Sequence, residues 1–446
     1  MTENAVVSIA KNPGHPNAAR ITKMVNEAVT LLGGMENIVR PGDMVVIKGN
    51  FSAPYPPPYT VDRRVAAAVI ALVRRAGASR VVLCDSFGAS MGHKTTTSTI
   101  DELCIRETAK AAGGELLSLD DDSRIRLQVP GGKSLDMIDY PESMYYCDVL
   151  INLSCMKTNA MTMVNLGLHN YQGIVNNQKH CAHRDELDQK MVDIQKIRPT
   201  QLTIIDALTA MEGDGEQGNP RSMNMIIASQ DPVAADAIAA YCMGIDDVLD
   251  VTAIRLAQYE GIGIADLNKI TVRGFPLDYA REKFKLPSSY TKPQDRYLTG
   301  VYPNIGVQIG GACRQCWLMA GEFAAELGNI KHRQFNLIAG VDPKLPGPIE
   351  DDLDGVIVLG DCACAAAGMI KETRSRMLLE SQGLLVPGCP PCRPARMMLE
   401  EYLEKRNLVD KDQRAIAAET VTKKVYDYYK GLDPTWKPKS QRWGII

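Results

Sequence analysis

The sequence predicts two α/β domains in series: a doubly wound, mostly parallel sheet, then a second, smaller α/β domain carrying a cysteine-ligated cluster. Three observations carry this. Short apolar segments alternate with helix-like ones through the first 275 residues. The strand candidates are apolar on both faces, as in a parallel sheet covered on both sides. After a break rich in Pro, Lys and Tyr the alternation resumes, and three of its strands end in glycine followed by cysteine.

In the first domain the expected strands are 44–47, 80–84, 148–153, 202–205, 225–228 and 270–272. Helices are expected at 17–32, 61–76, 100–112, 232–243 and 248–259. The first domain is read as residues 1–275 and the linker as 276–300. The cysteine-rich domain follows at 301–410, with strands at 305–309, 335–339, 356–359 and 384–386 and helices near 317–327 and 393–405. A C-terminal helix and tail complete the chain at 411–446. Trp436 and Trp443 in so short a tail predict that it packs on its own body or on a neighbouring subunit, as in a homodimer.

The 446 residues suit two or three domains. A net charge of −3, from 50 basic and 53 acidic residues, argues against a nucleic-acid or membrane-surface partner. The longest apolar run, Val65–Val73, is nine residues between arginine pairs, well short of the roughly 20 that span a bilayer. The start lacks a basic stretch followed by an apolar one, so a cytoplasmic location is expected. In that reducing compartment twelve cysteines point to metal or redox chemistry rather than disulfides.

The three cysteine segments read NIGVQIGGACRQC, DGVIVLGDCAC and GLLVPGCPPC. They carry Cys313 and Cys316, Cys362 and Cys364, and Cys389 and Cys392. Parallel strands put all their C-terminal ends on one edge, where ligands collect. One 4Fe–4S cubane needs four thiolates. Cys313 and Cys316 supply a close pair, and Cys362 and Cys389 directly follow their strands and turns. Cys364 and Cys392 are left as neighbours of the cluster or ligands to something else. Zinc, a dithiol couple and plain core cysteines are the competing readings. Stiff CPPC and the full α/β units between the segments weigh against a zinc knuckle. Cys84, Cys104, Cys147, Cys155, Cys181 and Cys242 read as small buried hydrophobes.

VPGCPPCRP at 386–394 resembles the VPGCPPRP segment of the cluster-bearing small subunit of respiratory NADH–quinone oxidoreductase. The resemblance implies that Cys389 ligates a 4Fe–4S cluster. The added Cys392 leaves the choice between the two open.

In the first domain, charged and amide residues gather at predicted strand ends: Lys48 and Asn50, Asp85 and Ser86, Asn152 with Lys157, Thr158 and Asn159, and Asp206 with Glu212 and Asp214. Lysines there suit a carboxylate or phosphate; acids suit a divalent cation or proton transfer. Capping of strands and helices is the plainer alternative. The motifs VVIKGN, CDS, DVLINLSCMKTN, IIDALTAMEGDG and ASQDPVAADAIAAYCMG together resemble the prokaryotic family called domain of unknown function 362, over about residues 45–274. Members are described as iron–sulfur-centre proteins, which implies a cluster here too. The family's KPN, KTH and KN correspond to Lys48-Gly49-Asn50, Lys157-Thr158-Asn159 and His169-Asn170.

His169, His180, Cys181 and His183 lie within fifteen residues and suit a metal or a proton relay, or a solvated loop. The loop NFSAPYPPPY at 50–59 reads as a stiff lid or as a polyproline-like surface loop. No dinucleotide fingerprint or P-loop occurs. Flavin, whose signatures are weaker, stays open as a second cofactor. The expected function is a cluster-dependent oxidoreductase passing electrons to a small anionic substrate or second cofactor in an interdomain crevice, or to an electron-transfer partner protein. Lys48 and Lys157 would hold the anion, and Asp85, His169 or Asp206 would move protons. A non-redox lyase or hydrolyase with an open iron, and a cluster-binding or assembly protein without catalysis, are the alternatives.

Overall fold

The structure, a computed structural model, describes residues 4–51, 54–86, 96–174, 187–213, 218–287, 290, 302–310, 312, 314–340, 354–368, 379, 381–387, 393–408 and 429–436. They form two compact units. The first comprises the described residues of 1–182, 186–287 and 419–446, the second those of 288–418. Residues 276–287, expected to open the linker, pack on the first unit: the N–H groups of Glu282 and Phe284 bond to the carbonyls of Cys242 and Met243 at 2.8 and 3.0 Å.

The first unit is built on a mixed sheet. Its strands are β1 (Ala5–Lys11), β2 (Met44–Lys48), β3 (Arg80–Asp85), β4 (Glu115–Ser118), the hairpin β5 (Arg124–Gln128) and β6 (Met137–Pro141), β7 (Val149–Asn159), β8 (Met163–Asn165), β9 (Leu202–Glu212), β10 (Asn219–Ser229) and β11 (Ile270–Gly274). The order across the main sheet is β11-β1-β10-β9-β7-β2-β3-β4, with β8 on β7 and the β5–β6 hairpin apart. The run β9-β7-β2-β3-β4 is parallel throughout. β10 is antiparallel to both β1 and β9. Only a short connection, 213–218, joins β9 to β10, and a connection that short permits only antiparallel pairing.

Helices cover the sheet where period and caps foretell them. Helix Arg63–Arg75 starts at Asp62, whose carboxylate accepts from the Arg64 N–H, and buries Val65, Val69, Leu72 and Val73. Helix Pro232–Cys242 has its proline in the first turn and Asp231 as cap. The helix expected over 100–112 is two, Thr96–Leu103 and Ile105–Ala111, because Cys104 takes a left-handed φ of 52° between them. No helix among the described residues is long and apolar enough to cross a membrane.

The second unit holds a parallel sheet, β12 (Ile305–Gly310), β13 (Phe335–Gly340), β14 (Val356–Leu359) and β15 (Leu384–Val386), in sequence order. Helices Arg314–Leu327, Asp361–Gly368 and Arg393–Lys405 follow β12, β14 and β15. Phe323, Phe335, Leu337, Ile357 and Leu403 fill one side of the sheet. Asp354 fastens the start of β14 to the last helix: its Oδ1 accepts from Tyr402 Oη at 2.8 Å and Arg406 Nε at 2.5 Å, and Arg333 pairs with its other oxygen.

Candidate functional site

Two places in the chain gather functional groups. The first is the carboxyl edge of β9-β7-β2-β3. Lys48 closes β2 and Asp85 closes β3, and their side chains form an ion pair at 2.8 Å with 1% and 2% exposure. Lys48 Nζ also donates to the Gly49 carbonyl at 2.7 Å and to Asn170 Oδ1 at 3.2 Å. An ammonium has three donors, so its capacity is met. Asp85 in turn accepts from the Phe51 N–H at 2.5 Å and the Ser86 N–H at 2.8 Å. Asn170 completes the chain by donating to Asn152 Oδ1 at 2.7 Å. Gly173 lies over the pair: a Cβ there would stand 3.0 Å from Asp85 Oδ1 and 3.1 Å from Lys48 Nζ. The sequence offered no signal for that glycine.

β7 runs on to Asn159 and β9 to Glu212, past their expected ends at 153 and 205. Lys157 and Asp206 therefore sit within strands, not in loops after them. The extension holds because Lys157, Thr158 and Asp206 find partners for their polar groups. Thr158 Oγ1, for instance, donates to the Gly213 carbonyl at 2.8 Å. Lys157 donates to Asn50 Oδ1 at 3.2 Å and to the Tyr59 carbonyl at 2.7 Å. Asp206 accepts from the N–H groups of Asp62 and Leu208 at 2.8 and 3.0 Å. Burial first, then the nearby Asp62 carboxylate, pushes its carboxyl up to about 7, against those two N–H groups.

The proline segment 54–62 is mostly buried. It is not a solvated surface loop. Its prolines bring no N–H groups that burial would leave unsatisfied. Asp62 was not singled out in the sequence, although an aspartate just before an apolar helical run is a recognisable cap signal.

His169, 8% exposed, lies in the short helix Gly167–Asn170. Its Nδ1 is 3.0 Å from Thr162 Oγ1, and that hydroxyl is 2.8 Å from the Val164 carbonyl. With the hydroxyl proton on the carbonyl, the imidazole donates from Nδ1. The network brings Lys48 and Asp85 into direct contact, and Asp85 reaches the proline loop through the Phe51 N–H. Lys157 and Asp206 hold the same loop at Tyr59 and Asp62, and His169 is held by Thr162 instead. His180, Cys181, His183 and Asp214 lie outside the described residues.

The second place is the carboxyl edge of the four-stranded sheet. The segments after β12, β14 and β15 all leave from it, because the strands are parallel. Each leads into a helix within a few residues. After β14 the turn is made by Gly360, at φ 89°, and Cys362 lies exposed in the first turn of the helix. Cys364 faces back: its Sγ is 3.7 Å from the Val358 carbonyl, and burial pushes its thiol up to about 11. Cys316 lies in the first turn of its helix, 8% exposed, within the apolar core. Cys313, Cys389 and Cys392 lie outside the described residues. Among the described residues no three His, Cys, Asp or Glu side chains gather as a metal site.

The family model described as Domain of unknown function (DUF362) matches residues 45–241. That stretch contains most of the motifs that carry the same resemblance in the sequence. A thylakoid-associated protein of Synechocystis is 29% identical over 278 residues, 57% of this chain and 80% of its own length. Among solved structures, the lactate racemase apoprotein from Thermoanaerobacterium thermosaccharolyticum aligns at TM-score 0.35 and 11% identity. That alignment covers 51% of this chain and 54% of the racemase chain, about half of each.

Proposed function

We propose that this chain is an iron–sulfur protein, an oxidoreductase that passes electrons between one 4Fe–4S cluster in its second unit and a small anionic molecule or partner protein. The observation that carries this reading is the shared edge: three glycine–cysteine segments follow parallel strands and each opens on a helix. Helix N-termini carry partial positive charge, which favours thiolates over thiols and suits an anionic cluster. The proposed ligands are Cys313, Cys316, Cys362 and Cys389, with Cys392 the alternative to Cys389.

Cys364 does not fit the ligand set. Its sulfur is turned back to the Val358 carbonyl, at 3.7 Å. Serine replacements test the assignment in anaerobically purified protein. Cys316→Ser and Cys362→Ser should lose most of the visible cluster absorbance, and Cys364→Ser should keep it. Full absorbance in Cys316→Ser and Cys362→Ser together would remove the proposed site.

In the first unit the buried Lys48–Asp85 pair is a framework element and Lys157 is the cation left for an anion. Asp206, whose pKa lies near neutrality, is the group suited to exchange a proton there.

A further inference from the structure

Among the described residues Lys157 is a buried cation without a counter-charge. It is 7% exposed, and no carboxylate among the described residues forms an ion pair with it. Its two oxygen acceptors, Asn50 Oδ1 and the Tyr59 carbonyl, are neutral, and both belong to the chain between β2 and helix Arg63–Arg75. The neighbouring Cys155 thiol is neutral too, because burial pushes it up. Lys48 differs, since Asp85 balances it. Burying an unbalanced ammonium is costly, and such groups are ordinarily paired.

The loop that supplies these oxygens is itself held from its far end. Asp62 Oδ1 accepts from Tyr429 Oη at 3.1 Å, and Arg64 Nη1 donates to the Leu432 carbonyl at 2.7 Å. Arg63 pairs with Asp433 at 2.7 Å. Trp436, 1% exposed, donates from Nε1 to the Glu102 carbonyl at 2.9 Å. The tail segment 429–436 thus grips the hinge at which the proline loop becomes a helix.

We propose that Lys157 is the receptor for a small monocarboxylate, that the loop 54–62 is a lid whose Tyr59 carbonyl occupies the place of a carboxylate oxygen, and that the tail segment 429–436 latches the lid. Opening the lid takes the Tyr59 carbonyl from Lys157, leaves Asn50 Oδ1 in place, and offers the ammonium to a ligand. One unbalanced positive charge calls for one negative charge, so a carboxylate fits and a phosphate dianion overshoots. The inference deepens the anion half of the function proposed above and is independent of the cluster.

Hydrogen exchange of the full-length protein tests it, read at Tyr59–Asp62, with acetate, pyruvate and inorganic phosphate as probes. Tyr429→Phe removes one hydroxyl and should speed exchange there by about tenfold. Pyruvate or acetate should slow it again, with a lower Kd in Tyr429→Phe than in wild type, and phosphate should bind less well. Lys157→Met should abolish that binding. Lys157→Gln, which keeps a donor and removes the charge, serves the same purpose if Lys157→Met fails to fold. Unchanged exchange in Tyr429→Phe overturns the latch. A loop that opens yet shows no Lys157-dependent carboxylate binding overturns the anion reading itself.

Discussion

At the scale of single residues, Asp85 and Lys48 decide how the first site is built. Each is buried, and each compensates the other's charge while backbone groups and the Asn170 side chain take up the remaining hydrogen bonds. Removing one partner leaves the other charged and desolvated. Asp85→Asn should therefore destabilise the first unit by about 3–5 kcal/mol, read from urea unfolding. The double variant Lys48→Met with Asp85→Leu should recover much of that loss, because apolar pairs replace buried ion pairs at little cost. Failure of the double variant to recover any stability would show that the pair's hydrogen bonds, and not its charges, hold the edge together. Gly173→Ala tests the same pair sterically. A Cβ about 3 Å from both charged atoms should cost about 1–2 kcal/mol in the same assay.

At the scale of elements, Asp236 governs how the helix Gly167–Asn170 is placed. Its two carboxylate oxygens accept from the N–H groups of Gly167 and Leu168 at 2.7 and 2.8 Å. Burial outweighs those bonds and pushes the carboxyl up to about 7. An acid whose pKa is higher in the folded state binds its proton more tightly there. Its stabilising contribution is full below the unfolded value, about 4, and is lost as pH rises to 7. The Tm of the wild type should fall across that window, with Asp206 adding to the slope in the same direction. Asp236→Asn should flatten part of it. An undiminished slope in that variant would mean that Asp236 is already ionised in the folded protein.

Much of this scale was legible in the sequence. β14, β15 and the helix Arg393–Lys405 lie where apolar runs and polar breaks place them. The long halves of β7 and β9 were not, because Lys157 and Thr158 read as a polar loop until the Tyr59 carbonyl and the Gly213 carbonyl, both distant in sequence, accept from them. β1 escaped because Ser8 interrupts its apolar run; in the fold that hydroxyl bonds to the Ala28 carbonyl at 2.7 Å. The lysines and acids of the candidate site were visible as residue types. Which of them were balanced by a partner was not, since Asp85 and the Tyr59 carbonyl meet their lysines only through tertiary structure.

At the scale of the whole molecule, the chain leaves its first unit near residue 287, builds the second, and returns with a tail whose Trp436 is buried on the first. The sequence predicted that Trp436 and Trp443 pack; Trp436 packs on the chain's own first unit, and Trp443 lies outside the described residues. A cluster ligated by three separate segments of the second unit would contribute its binding free energy to that unit's folding. Calorimetry of the reconstituted and cluster-free protein should show the transition of the second unit lowered by cluster removal and that of the first unchanged. A downward shift of both by the same amount would show that the two units melt as one.

The most direct measurement is iron and acid-labile sulfide analysis of the anaerobically purified full chain, joined to electron paramagnetic resonance after dithionite reduction. The cluster assignment requires about four irons and four sulfides per chain and a signal typical of a reduced cubane. A colourless protein without labile sulfide, or one holding a single zinc, would contradict it.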